Sequence, residues 1–272
     1  MAPPPPPTAP DEPGPEPVRR LRLIGIGPGD GRLLTLEAAD AVAAVDVFFV
    51  FDKGEDLADL QARRDEVLDR HASPHHRTVA LTDPPRDLDG PVYDRAVAAW
   101  HDQRAELLHR ALAEELADGA TGAILVWGDP ALYDSTLRVA TEAVAAFPWP
   151  VTVDVVAGLS SVALLTARHL IPLNRVGASV RITTGRRLAA EPPTPDCDVV
   201  VVLDGSCAFA PLAETDAGAH LDIHWGAYLG SDDEVLIAGA LRDRAAEIVE
   251  RRARLRAAKG WMFDTYLLRW TG

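Results

Sequence analysis

Cysteine is nearly absent from this chain of 272 residues: the only two are Cys197 and Cys207. They cannot build a disulfide framework and lack the paired close spacing of a structural zinc site, so two reduced thiols are expected and no metal. Long apolar runs are missing too. No stretch approaches the length that spans a bilayer, and the opening MAPPPPPTAP has neither the basic nor the apolar region of a signal peptide. A cytoplasmic protein without membrane contact is expected. Basic charge is also short, with 27 Lys plus Arg against 41 Asp plus Glu and a net charge of -14. A phosphate backbone would meet repulsion over most of the surface, so nucleic acid is not an expected partner. An anionic small molecule would need a local basic lining inside that acidic exterior.

What remains is the composition of a globular protein, 47% hydrophobic and 25% charged, long enough for one large domain or two modest ones. Residues 1–18 form a Pro-rich extension with almost nothing to bury, and they are excluded from the fold. From Leu21 onward, short β-branched runs bounded by Gly, Pro or Asp alternate with stretches of helical period. That alternation predicts an α/β chain. Expected strands are Leu21 to Ile26, Val45 to Phe51, Ile124 to Trp127 and Val151 to Val156. Expected helices are Leu34 to Val42, Tyr93 to Ala117, Ser135 to Ala146 and Ser160 to His169. Sequential βα units predict a mostly parallel sheet for an N-terminal domain over residues 19–172. After Pro172 the pattern restarts with runs at Val180 to Thr183, Val199 to Leu203, Ile223 to Leu229, Leu236 to Ala238 and Met262 to Trp270. A single long helix is expected from Leu241 to Ala258. A C-terminal α/β domain with a mixed sheet is expected over residues 173–272, with a ligand cleft between the two.

Three glycine loops end expected strands. The first, Gly25-Ile-Gly27-Pro28-Gly29-Asp30-Gly31, could be a dinucleotide fingerprint, with Asp52 placed for a ribose. However, Pro28 has no N–H for a pyrophosphate, and Asp30 puts a carboxylate where the phosphates should lie. The second is Trp127-Gly128-Asp129-Pro130 and the third Ala157-Gly158-Leu159-Ser160-Ser161. Each alone reads as turn chemistry, and Ser160 or Ser161 as a helix N-cap. All three lie at the carboxyl ends of expected parallel strands, where open α/β sheets bind ligands.

In that order, GIGPGDGRLLTLEA, WGDP and AGLSS resemble the tetrapyrrole methylases that use S-adenosylmethionine, and the resemblance covers nearly everything after Arg20. The segments VWGDPALYDSTLR, DPPRD with Tyr93, the Trp100-His101 helix and VVVVLDGS resemble the deacetylating precorrin methylases within that family. The resemblance implies S-adenosyl-L-methionine held folded between two domains, a precorrin substrate and a homodimer. It implies donor-binding roles for Pro28, Trp127, Gly128, Asp129, Ser160 and Ser161, and for Val202, Leu203, Ala227, Tyr228 and Leu229. Methylation of precorrin-5 accompanied by loss of acetate would need water addition assisted by a base, and Asp30 and Asp204 are the candidates. The substrate carboxylates would need cations, and Arg86, Arg104, Arg175, Arg181 and Arg186 are nominated.

Other groupings have plainer readings. His71, His75 and His76 could approach a metal but read as loop histidines. Trp100, His101 and Arg104 lie within one helical turn and could face a macrocycle or be half-buried. Arg251, Arg252, Arg254 and Arg256 read as a solvated helix face. The rival functions are a sibling methylase, a non-catalytic nucleotide-binding module and an NAD dehydrogenase.

Overall fold

The computed structural model describes residues 18–52, 58–85 and 93–271. Five strands make the first sheet: β1 (Arg19–Gly25), β2 (Val47–Asp52), β3 (Arg77–Thr82), β4 (Thr121–Val126) and β5 (Val151–Val156). Their order is β3-β2-β4-β1-β5, and every neighbouring pair is parallel. The central strands are continuous apolar runs because helices cover both faces. On one face Leu21, Leu23 and Phe49 pack with Leu108 and Leu112 of α3 (Tyr93–Glu115) and Val139 of α4 (Thr136–Ala145). On the other, Ile24, Phe48 and Leu125 pack with Val42 of α1 (Leu36–Ala43) and with Val67 and Leu68 of α2 (Ala58–His71). Each such side chain contributes roughly 1.5–3 kcal/mol of burial free energy.

The second sheet holds β6 (Ser179–Thr184), β7 (Cys197–Val202), β8 (Leu221–Ala227), β9 (Val235–Ala240) and β10 (Asp264–Trp270), in the order β6-β7-β10-β8-β9. Only β6 and β7 run parallel, so the sheet is mixed. One face packs on α7 (Phe209–Ala213) and on α8 (Leu241–Lys259), which ends at Gly260 in the left-handed region at φ 78°. A single-turn helix, α6 (Gly185–Leu188), follows β6. The opposite face is covered by α5 (Ser161–Arg168), whose Val162, Leu164 and Leu165 meet Val200, Val202 and Leu267. By sequence position α5 follows the first sheet, but its apolar stripe belongs to the second. Among the described residues, no helix is long and apolar enough to cross a membrane.

Three sequence expectations are corrected. The expected helix from Leu34 begins as a 3-10 turn at Gly31–Leu33 and becomes α-helical only at Leu36, because Thr35 is extended and caps Ala38. Helices α2, α6 and α7 and strand β3 had no counterpart. Arg252 is not on a solvated face, being 8% exposed inside the second domain.

His169 caps α5 and pairs through Nε2 with the Trp225 carbonyl at 3.1 Å, its ring edge-on to His224. Burial pushes both imidazoles below their ordinary range; Glu234 opposes this at His169, while Asp222 and Asp198 oppose it and Arg269 reinforces it at His224. The folded state therefore refuses protons that the unfolded chain accepts below about pH 6.5. Stability present at pH 7.5 is expected to fall as pH drops through that value, and His224→Gln should flatten the dependence. Thermal melts between pH 7.5 and 5.5 check it, and parallel curves for the two proteins would refute it.

Candidate functional site

The three glycine loops are tied into one unit at the carboxyl ends of β1, β4 and β5. Gly27 N–H donates to the Gly128 carbonyl at 3.1 Å, and Gly128 N–H to the Gly27 carbonyl at 2.7 Å. Asp129 accepts from Ala131 N–H at 2.7 Å and from Gly158 N–H at 3.2 Å, joining the second loop to the third. Gly158 must be glycine, since a Cβ there would lie 2.0 Å from the Gly128 carbonyl oxygen. Gly128 itself, at φ +68°, would send a Cβ into open space with nothing within 4 Å. The glycines therefore serve two purposes. Gly158 lets the backbones close together, and Gly128 leaves a side-chain-free floor.

That floor opens on a cleft of about 880 Å³ between the two sheets, within the range of small-molecule sites. Pro28, Trp127, Asp129, Tyr133, Ser160 and Ser161 line it from the first domain, and Val202, Leu203, Tyr228, Leu229 and Phe263 from the second. The Tyr133 hydroxyl donates to the Ile182 carbonyl at 2.9 Å, and the Trp127 ring lies 6.4 Å from that of Phe263. These contacts bind the two walls. Tyr133, Leu203 and Tyr228 are non-glycine residues at φ 51°, 53° and 48°. Such conformations cost of order 1–3 kcal/mol each and concentrate at ligand sites. Leu203 also stays 66% exposed, an apolar side chain left uncovered on a cleft wall.

Of the residues expected to hold the donor, all line the cleft except Ala227, which is fully buried in the second core beside Tyr228. Ser160 also caps α5 by accepting from Ala163 N–H. The two expected bases are otherwise engaged. Asp30 does not line the cleft: it accepts from Arg32 N–H at 2.8 Å and pairs with the Arg32 guanidinium at 2.7 Å, which holds its carboxyl below the usual range. Asp204 lines the cleft, but its oxygens accept from Ser206 N–H, Ser206 Oγ, Ala208 N–H and the Tyr266 hydroxyl at 2.7–3.2 Å. Four donors fill the capacity of a carboxylate and leave none for a proton from water.

The cationic lining differs more from expectation. Arg175 pairs with Asp198 at 3.0 Å and Arg181 with Glu191 at 3.1 Å, and neither these nor Arg186 line the cleft. Arg86 lies outside the described residues. Arg104 does line it, sandwiched by the rings of Phe51 and Trp100 and paired with buried Asp83 at 2.9 Å. His76 of the histidine cluster contacts the Ser73 carbonyl and the Phe48 ring, and among the described residues no group of three potential ligands is poised for a metal. Sequence reasoning missed Arg63, Arg64, Arg252 and Asp264, all of which line the cleft. Arg252 pairs with Asp264 at 2.9 Å and donates to the Asp204 carbonyl at 2.7 Å, while Trp225 Nε1 donates to Asp264 at 2.9 Å. No local signal separates these arginines from their solvated neighbours.

Two α/β domains enclosing a cleft floored by clipped glycine loops define a known class, and the family model for tetrapyrrole (corrin/porphyrin) methylases matches residues 20–245. The chain belongs to that family. Among its relatives, the precorrin-6A synthase [deacetylating] of a Sinorhizobium species is 41% identical over 93% of this chain and 95% of the relative. The crystal structure of a cobalamin synthesis related protein (CobF) from Corynebacterium diphtheriae superposes with a TM-score of 0.80 at 35% identity, over 94% of this chain and 100% of that one. The uroporphyrin-III C-methyl transferase of Thermus thermophilus, complexed with S-adenosyl homocysteine, shares the fold with a TM-score of 0.55 at 19% identity, over 92% of each chain.

Proposed function

We propose that this chain is a cytoplasmic, homodimeric methyltransferase that uses S-adenosyl-L-methionine to convert precorrin-5 to precorrin-6A with release of acetate, in aerobic cobalamin biosynthesis. The observation that carries the reading is the side-chain-free floor at Gly128, bounded by Trp127 and Ser160 on one side and Leu203 and Leu229 on the other. Those residues fit a donor that carries an adenosine and an amino acid but no phosphate. Pro28 offers no N–H, and the Asp30 carboxylate is turned to Arg32 and does not line the cleft. The 41% relative supports the particular substrate.

When bound, the donor supplies a methyl group on a sulfonium, an electrophile that needs no acid. The chain's contribution is placement. Val202, Leu203 and Leu229 exclude water from the donor side, and the clipped loops hold the floor rigid so that a ring carbon meets the methyl in line. Loss of the acyl group needs an added water, and the engaged carboxylates of Asp30 and Asp204 are not assigned that step.

The test has two parts. S-adenosylhomocysteine is expected to raise the melting temperature and NAD to leave it unchanged. Methyl incorporation and acetate release are then followed together from precorrin-5. Methyl transfer without acetate would make the chain a sibling methylase, a response to NAD alone would return the dinucleotide reading, and neither ligand nor product would leave a non-catalytic module.

A further inference from the structure

We infer that Arg64 is the cation that receives a carboxylate of the tetrapyrrole, a specificity-determining residue on the substrate side of the cleft; this rests on the methylase reading above. Helix α2 directs one stripe inward, with Leu60, Val67 and Leu68 at 8%, 1% and 6% exposure. Arg64 is four residues from both Leu60 and Leu68, so it occupies a position of that stripe where an apolar residue is the ordinary choice. A guanidinium placed there is half-buried and lines the cleft.

The charges of the described lining then single it out. Arg63 faces Asp233 at 3.8 Å, Arg104 pairs with Asp83 at 2.9 Å, and Arg252 with Asp264 at 2.9 Å. Arg104 and Arg252 are each neutralised by a close carboxylate, and Arg63 shares Asp233 with Lys259, which holds it at 2.6 Å. Arg64 has no hydrogen bond or ion pair with any described residue, and burial pushes its guanidinium below the ordinary range with only Asp65 opposing. A desolvated cation without a counterion is costly. The cost is recovered when an anion docks, and the planar fork of arginine suits a carboxylate in two parallel bonds. In a chain of net charge -14, this is the local positive site that a polyanionic substrate requires.

The experiment compares Arg64→Gln and Arg64→Lys with the full-length wild type, and uses Arg110→Gln on the exposed face of α3 as a charge control. Turnover of precorrin-5 gives kcat and KM, and titration of uroporphyrin, a stable polycarboxylate tetrapyrrole, at two salt concentrations gives affinity without chemistry. For Arg64→Gln a roughly ten- to hundredfold rise in KM and in the uroporphyrin Kd is expected, the loss of one charge-assisted pair. The salt dependence should be weaker than in wild type, while kcat and the thermal response to S-adenosylhomocysteine stay unchanged. Arg64→Lys should recover part of the affinity. The melting temperature of Arg64→Gln should equal or exceed that of wild type, because a half-buried charge with no partner among the described residues has been removed. A lower melting temperature with KM within twofold of wild type would overturn the inference and make Arg64 structural. If Arg110→Gln weakened binding as much, general charge and not Arg64 would be responsible. Wild type that turns over precorrin-5 while Arg64→Gln matches it leaves the methylase reading standing without this residue. Wild type that neither turns over precorrin-5 nor binds uroporphyrin removes both.

Discussion

A Gly128→Val variant is expected to stay folded yet show no thermal response to S-adenosylhomocysteine and no methyl transfer. Both backbone groups of Gly128 are bonded to Gly27, so the loop cannot rotate away from φ +68° to suit a β-branched residue. The strain costs about 1–3 kcal/mol, which a chain of this size can absorb. No atom outside the adjoining residues lies within 4 Å of the Cβ position, so the new isopropyl group starts into open space. It must therefore stand in the cleft itself, in the volume assigned to the donor. Gly177 supplies the control: its φ is +76° with equally open space, and it is not among the cleft-lining residues. Gly177→Val carries the same strain and should keep the full response to the ligand. A Gly128→Val protein whose melting temperature still rises with S-adenosylhomocysteine would move the donor site elsewhere.

The parts of this site that could be read from sequence are those where one local pattern has one physical meaning. Strand β1 followed by GIGPGDG, and β4 followed by WGDP, are buried apolar runs that stop at residues able to turn, and both loops lie at the cleft. By sequence, Pro28 without an N–H and the carboxylate of Asp30 argue against a phosphate; in the structure Asp30 is engaged by Arg32 and does not line the cleft. Helix α2 is illegible because, among its described side chains, Leu60, Val67 and Leu68 are the only buried apolar ones in a charged segment. Strand β3 is an edge strand with only Leu81 fully buried, so no apolar run announces it.

Partnership is the other quantity that sequence conceals. Arg175, Arg181 and Arg104 were reasonable choices for an anion, but each is claimed by an acid distant in sequence, Asp198, Glu191 or Asp83. Arg64, adjacent to Arg63, carries no mark that would distinguish it. The difference arises only when the fold brings Asp233 to within 3.8 Å of the one and no carboxylate to the other among the described residues. Helix α5 shows the same limit for packing: its apolar stripe was legible, but which sheet it would cover depends on where the chain crosses between domains.

The largest loss of stability is expected at Arg252, the residue of the four-arginine run that turns inward. Its guanidinium holds Asp264 at 2.9 Å and the Asp204 carbonyl at 2.7 Å, and it is 8% exposed. Removing one partner of a buried pair while leaving the other costs about 3–5 kcal/mol, so Arg252→Leu should lower the melting temperature by many degrees. The pH dependence identifies the cause. Burial already pushes the Asp264 carboxyl up, against the opposing pull of Arg252 and the bond from Trp225; without Arg252 it should rise further. A carboxyl whose folded pKa exceeds its unfolded value keeps its proton when folded and releases it when unfolded. Its contribution is complete below about pH 4 and is lost as pH rises toward the folded pKa. The variant's deficit should therefore be larger at pH 8 than at pH 5. Arg252→Met combined with Asp264→Leu, which removes both charges, should recover much of the loss. A deficit independent of pH and undiminished in the double variant would mean that Arg252 acts through packing of its stem and not through its charge.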